Sequence, residues 1–185
     1  MIDVNQLRRG VSFTQNDNLY KVTEYSHSKP GRGKATIKVN VKDLRSGSNL
    51  ILSFTSGDRV EDIRLDKQTY QFLYDDGQFY VFMDTSSYEQ KQVAHVVLEE
   101  DAAFLRDNME LELLEHEGEV LDYILPKSME FEVVEAENAV AGDTATGATK
   151  EVITETGLKV KTPLFINAGD RIKVNTETRE YITRV

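Results

Sequence analysis

Apolar and polar residues alternate with a period of two along most of this chain. Ile37, Val39 and Val41 alternate with Lys38, Asn40 and Lys42, and Phe131 and Val133 alternate with Glu130 and Glu132. Ile172 and Val174 flank Lys173, while Phe79 to Met83 is apolar at every position, as in a strand buried on both faces. Successive side chains of a strand point to opposite sides, so these runs predict many short strands, most with one face on a core. Turn residues separate them at Gln15-Asn16-Asp17-Asn18, Ser46-Gly47-Ser48, Asp75-Asp76-Gly77 and Asn167-Ala168-Gly169. Glu99 to Asp107 breaks the pattern. It joins helix-forming residues to an acidic first turn and to Arg106 near its end, and is predicted as the one substantial helix. No internal repeat is evident, and the class is all-β.

Composition adds exclusions. No apolar run approaches the roughly 20 residues that cross a bilayer. The start, Met1-Ile2-Asp3-Val4-Asn5, has no signal-peptide pattern. The absence of cysteine excludes disulfides and thiolate metal sites. His27, His95 and His116 are scattered singly without ligand spacing. The expectation is a cytoplasmic protein with no cofactor, no metal and no membrane partner.

Charge changes the picture more. A net charge of −10 argues against a nucleic-acid partner until its distribution is read. Residues 1–64 hold 11 Lys+Arg against 7 Asp+Glu, residues 65–127 hold 4 against 15, and residues 128–185 hold 7 against 10. One basic third is carried by an acidic remainder, and local potential steers a partner where the average does not. Chance asymmetry on solvated faces is the bland alternative. The charge steps, with Ile124-Leu125-Pro126-Lys127 as a join that no strand continues through, divide the chain into 1–64, 65–127 and 128–185. Each third has the size of a five-stranded barrel.

The strongest local feature is Ser28-Lys29-Pro30-Gly31-Arg32-Gly33-Lys34-Ala35, between the strand patterns Leu19 to Tyr25 and Thr36 to Val41. That spacing places it at a hairpin tip. Pro30 fixes one backbone angle, and Gly31 and Gly33 permit positive φ on either side of Arg32. Lys29 and Lys34 flank the tip, and Lys38, Lys42 and Arg45 extend the charge behind it. The loop is no phosphate-binding fingerprint, because the G-x-x-x-x-G-K-[ST] spacing and the following helix are both missing. A basic protrusion without acidic residues fits an RNA-lined cleft better than DNA, and a merely solvated turn is the alternative.

These residues resemble the hairpin of bacterial elongation factor P. The resemblance continues through Val41-Lys42-Asp43-Leu44-Arg45-Ser46-Gly47, similar to that family's K-x-L-R-x-G stretch. Gln71 to Gly77, Tyr80 to Asp84 and Tyr88-Glu89-Gln90 resemble its middle domain. Gly142-Asp143-Thr144-Ala145-Thr146-Gly147, Pro163 to Gly169 and Glu180 to Arg184 resemble its third. The resemblance implies three small β-barrels in an L-shaped arrangement, a KOW/SH3-like barrel followed by two OB-fold barrels, mimicking a tRNA in outline. It implies a translation elongation factor, not an enzyme, that binds the ribosome (its rRNA) between the peptidyl and exit sites. There it positions peptidyl-tRNA, stimulates peptide-bond formation and relieves stalls at consecutive prolines, most simply as a monomer.

Carried over residue by residue, Arg32 is the functional loop tip and candidate modification site, with Lys29, Pro30, Gly31, Gly33 and Lys34 as tRNA and rRNA contacts. Many relatives carry a modified lysine at the tip and others a rhamnosylated arginine. Arg32 therefore excludes lysine chemistry there, and leaves open rhamnosylation, another arginine chemistry with its modifying enzyme, or none. Gly142, Asp143 and Thr144 correspond to an exit-site RNA contact, although Ala139-Val140-Ala141 before them, Val152 and Thr162 depart from the family pattern. Tyr181 and Arg184 are candidate RNA contacts, against a strand residue and a solvated chain end. A general OB-type single-stranded RNA-binding protein is the competing reading. An enzyme using the carboxylates between Glu110 and Asp122 has no motif behind it.

Overall fold

The alternating runs fold as strands of three antiparallel sheets, each curled into a small barrel. The computed structural model describes residues 1–28, 35–137 and 148–185. The first sheet holds β1 (Ile2–Asp3), β2 (Ser12–Gln15), β3 (Asn18–Ser28), β4 (Thr36–Asp43), β5 (Asn49–Thr55) and β6 (Arg59–Asp62), in the order β1-β6-β2-β3-β4-β5. It therefore has six strands where length suggested five, the extra one being the two-residue β1. Ile37, Val39 and Val41 of β4 are fully buried against Phe13, Val22 and Val4, so alternation places Lys38, Asn40 and Lys42 on the outer face. Asn16 and Asp17, both at positive φ, make the two-residue β2–β3 turn.

The second sheet holds β7 (Asp66–Asp75), β8 (Phe79–Asp84), β9 (Gln90–Ala94), β10 (Glu110–His116) and β11 (Glu119–Ile124) in the order β11-β10-β7-β8-β9. Tyr80, Val81 and Phe82 of β8 are all buried, as its unbroken apolar run requires. The third sheet holds β12 (Ser128–Ala136), β13 (Thr149–Thr154), β14 (Lys159–Pro163), β15 (Arg171–Asn175) and β16 (Tyr181–Arg184) in the order β14-β13-β12-β15-β16. Both sheets follow one wiring: three strands meander, the fourth returns beside the first, and the fifth pairs with the fourth. A short helix, α1 (His95–Leu98), touches both β9 and β11. In the third sheet the free edges of β14 and β16 approach each other.

The helix expected over Glu99 to Asp107 is different in fact. Regular helix begins at His95, ends at Leu98 and passes into 3-10 turns over Glu99–Phe104, with Asp101 out of helical geometry. Ala94 offers no side-chain cap, and four residues cannot repay helix nucleation on their own. Burial of Val97, Leu98, Phe104 and Leu105 dictates the path instead. Arg106, expected near a helix end, crosses to the third barrel: its Nη1 donates to the Glu130 carbonyl at 2.7 Å and its guanidinium stacks on Phe131.

The three barrels are joined unequally. One continuous apolar core runs from Tyr70 and Phe82 of the second sheet to Phe131 and Val174 of the third. The first barrel has its own core and meets the second through a small cluster of Leu19, Leu44 and Leu121, edged by Ile63 and Leu65. Among the described residues, no helix is long and apolar enough to cross a membrane.

Candidate nucleic-acid interface

Strands β3 and β4 are the arms of the basic hairpin. Their pairing runs from Tyr20↔Asp43 to Ser28↔Thr36, with a bulge between Val22 and Glu24 that adds twist. β4 is held on its other side by β5 as far as Thr36↔Thr55, and the Ser56 amide donates to the Ala35 carbonyl at 2.9 Å. The arms are thus braced up to the last residues before the tip. Lys29, Pro30, Gly31, Arg32, Gly33 and Lys34 lie outside the described residues, as do Gly142, Asp143 and Thr144.

Behind the tip, the structure redistributes the charge that the sequence suggested. Lys38 is exposed on the outer face, and among the described residues no carboxylate lies within ion-pair distance of it. Lys42 and Arg45 are turned to the second barrel. Lys42 pairs with Glu100 at 2.8 Å, Arg45 with Glu119 at 3.0 Å, and Lys21 of β3 with Asp122. The Lys42 hydrogen bond, and then its charge, hold the Glu100 carboxyl below the ordinary glutamate range. The hydrogen bond from Arg45 to Glu119, followed by the charge of that carboxylate, raises the arginine further above its already high value. These cations answer carboxylates of the acidic middle of the chain.

The barrels meet around an open cleft of about 800 Å³ lined by Lys21, Lys42, Glu100, Asp101, Asp122 and Arg179 among others. Its charges are largely mutual: besides the pairs above, Arg179 bonds Asp101 at 2.8 Å. Tyr123 donates to Asp101 at 2.7 Å, and burial, then that hydrogen bond, push its hydroxyl well above the ordinary tyrosine value. A neutral, donating tyrosine between paired ions braces a joint. It offers neither a base nor a nucleophile. Among the described residues, no three His, Asp or Glu side chains gather as a cation site.

On the third barrel, Tyr181 is half-buried and packs against the shared core, so its ring is partly committed to structure. Arg184 stacks on Phe165 with 5.6 Å to the ring centroid and lies 4.0 Å from Asp170. Phe165 is 57% exposed, an aromatic face that nothing in the pattern of its motif distinguishes. Arg184 is therefore a stacked side chain with one side open.

Three family models cover almost the whole chain in order. The KOW-like domain of elongation factor P matches residues 3–60, its OB domain residues 65–123, and its C-terminal domain residues 129–184. Proteins named elongation factor P from Moorella thermoacetica and Metamycoplasma arthritidis are 39% and 44% identical over 184 residues, covering all of both chains. The one from Mesoplasma florum is 42% identical over 183 residues and 99% of each chain. Among solved structures, eukaryotic translation initiation factor 5A from Methanococcus jannaschii superposes with a TM-score of 0.54 at 22% identity. It covers 66% of this chain and 92% of its own, a likeness of fold. With all three family models in register and full-length relatives near 40% identity, the chain belongs to the elongation factor P family of translation elongation factors.

Proposed function

We propose that this protein binds the ribosome between the peptidyl and exit sites and presents Arg32 to the acceptor end of peptidyl-tRNA, which it holds in attack geometry. Peptide-bond formation at consecutive prolines is slow because the acceptor is poorly disposed, and fixing the donor converts lost orientational freedom into rate. The chain contributes position and charge, and the chemistry stays with the ribosome; in this sense it is not an enzyme. Residues 1–64, 65–127 and 128–185 act as three domains of a cytoplasmic monomer, with Arg32 as the substrate of a modifying enzyme where one exists. Lys29, Pro30, Gly31, Gly33 and Lys34 shape and charge the tip, while Gly142, Asp143, Thr144, Tyr181 and Arg184 face RNA near the exit site.

The observation that carries this reading is the placement of the hairpin. β3 and β4 run from the pairs that Lys21 and Lys42 make with the second barrel to Ser28 and Thr36, which bound the basic sequence 29–34, and Lys42 and Thr36 stand six strand residues, about 20 Å, apart. The test is a proline-run reporter translated in vitro. Arg32→Ala is expected to leave the thermal unfolding curve unchanged and to abolish rescue of the stall. Undiminished rescue would remove the role assigned to the tip.

A further inference from the structure

We propose that Lys42, Leu44, Arg45 and Gly47 are positioning residues that set the angle of the β3–β4 hairpin against the second barrel. By residue type the stretch reads as basic RNA-facing surface, yet each of the four meets the neighbouring barrel. Lys42 bonds Glu100, Leu44 packs with Leu121, and Arg45 bonds Glu119 through both Nε and Nη2. Gly47 lies against Val96, where a Cβ would come within 2.6 Å of the valine Cγ2. The turn that presents them is itself fixed. The Asp43 carboxylate accepts from the Arg45 and Ser46 amides at 2.9 and 2.8 Å, and Gly47, at φ +73°, donates its amide to the Asp43 carbonyl.

A second relationship explains why the contact depends on the partner barrel. Lys21 and Lys42 are directly opposite each other on β3 and β4. Like charges facing across a ladder repel. Asp122 and Glu100, both from the second barrel, supply the two compensating carboxylates. Docking thus relieves a repulsion built into the hairpin arms, and separation restores it. The apolar part of the contact is small, so charge and shape decide the angle.

This inference rests on the proposed role of the hairpin, and its test separates the two. The chain has no cysteine, so Ser53→Cys on β5 and Ser86→Cys in the second barrel, both exposed, accept nitroxide labels without competition. Pulsed dipolar spectroscopy should return one narrow distance distribution for the labelled protein. Lys42→Glu with Arg45→Glu should broaden it at least twofold and lower rescue of the proline-run reporter at least tenfold. Adding Glu100→Lys and Glu119→Arg should narrow the distribution and restore rescue. Gly47→Val should broaden it without any change of charge. An unbroadened distribution overturns the proposal, as does broadening with undiminished rescue. Lost rescue with an unbroadened distribution overturns it too, because the cations would then act on RNA directly. Arg32→Ala serves as the control. It should keep the narrow distribution while losing rescue; if it keeps rescue, the role of the tip fails and the label distances still judge the joint.

Discussion

Phe104, at the end of the 3-10 turns in the second barrel, meets Phe131 of the third edge-on, with ring centroids 5.9 Å apart and both rings fully buried. Through this contact two barrels that each have a small core become one body with a larger one. Barrels of about 60 residues bury too little surface to be comfortably stable alone. Phe131→Ala is expected to cost about 3–5 kcal/mol, the range for deleting a buried aromatic ring. The loss should appear in both barrels at once. Native-state hydrogen exchange would show reduced protection at Phe82 and Val174, with Val39 in the separate core of the first barrel unchanged. Loss confined to the third barrel would mean that the shared core does not act as a unit.

The Lys42–Glu100 pair of the first joint carries a pH dependence with a defined sign. The Glu100 carboxyl is held below its ordinary value of 4.5 by Lys42. Its contribution is therefore fully present above that value and is lost as pH falls through the depressed one. Exposed pairs contribute roughly 0.2–1 kcal/mol each, so acid should loosen the joint without unfolding the barrels. Taking doubly labelled protein from neutral pH to about pH 3 should broaden the distances while the first-barrel core stays protected. At neutral pH, high salt should act first on Arg45–Glu119, with side chains 54% and 48% exposed, and last on Lys21–Asp122, at 34% and 12%.

The fold was legible where one residue's neighbours along the chain decide its environment. Alternation marked Ile37, Val39 and Val41 as core, and the unbroken run at Phe79 to Met83 marked a strand buried on both faces. What sequence could not reveal is who stands opposite. Lys42 and Arg45 read as RNA-facing charge because Glu100 and Glu119 are 58 and 74 residues away. Arg106 read as a helix-end cation until packing turned it onto Phe131. The common wiring of the second and third sheets left no repeat, because topology is set by strand order and many residue sets satisfy it. For the site, the sequence supplied the hairpin and its family resemblance, and the structure added the joint that aims it.

The β2–β3 turn offers a stabilising change. Asn16 and Asp17 have φ of 51° and 64°, a conformation that costs an ordinary L-residue about 1–2 kcal/mol and glycine almost nothing. Against that gain, glycine adds unfolded-chain freedom of about 0.5–1 kcal/mol. Aspartate tolerates this region better than most residues, so the net for Asp17→Gly should be near +0.5 kcal/mol. A urea midpoint raised with an unchanged slope would show it, and a lowered midpoint would mean that the aspartate side chain stabilises the turn.

The pairing of the cations at the first joint separates a ribosome-directed factor from a general single-strand binder. A groove that binds RNA by itself needs several free cations along the backbone and aromatic faces for the bases. Here Lys21, Lys42 and Arg45 are neutralised by the second barrel, and Arg179 by Asp101. Lys38 remains behind the tip, and Arg184 with Phe165 lies on another barrel. The isolated protein should therefore bind a single-stranded oligonucleotide no more tightly than about 10⁻⁴ M at physiological salt, the weak end of non-specific binding. Fluorescence anisotropy would also give a shallow salt dependence, because few counterions are released. Lys42→Gln with Arg45→Gln should leave that weak affinity within about twofold, since both cations are already answered by carboxylates. Sub-micromolar binding that disappears in the same variant would return Lys42 and Arg45 to an RNA surface and favour the general binder.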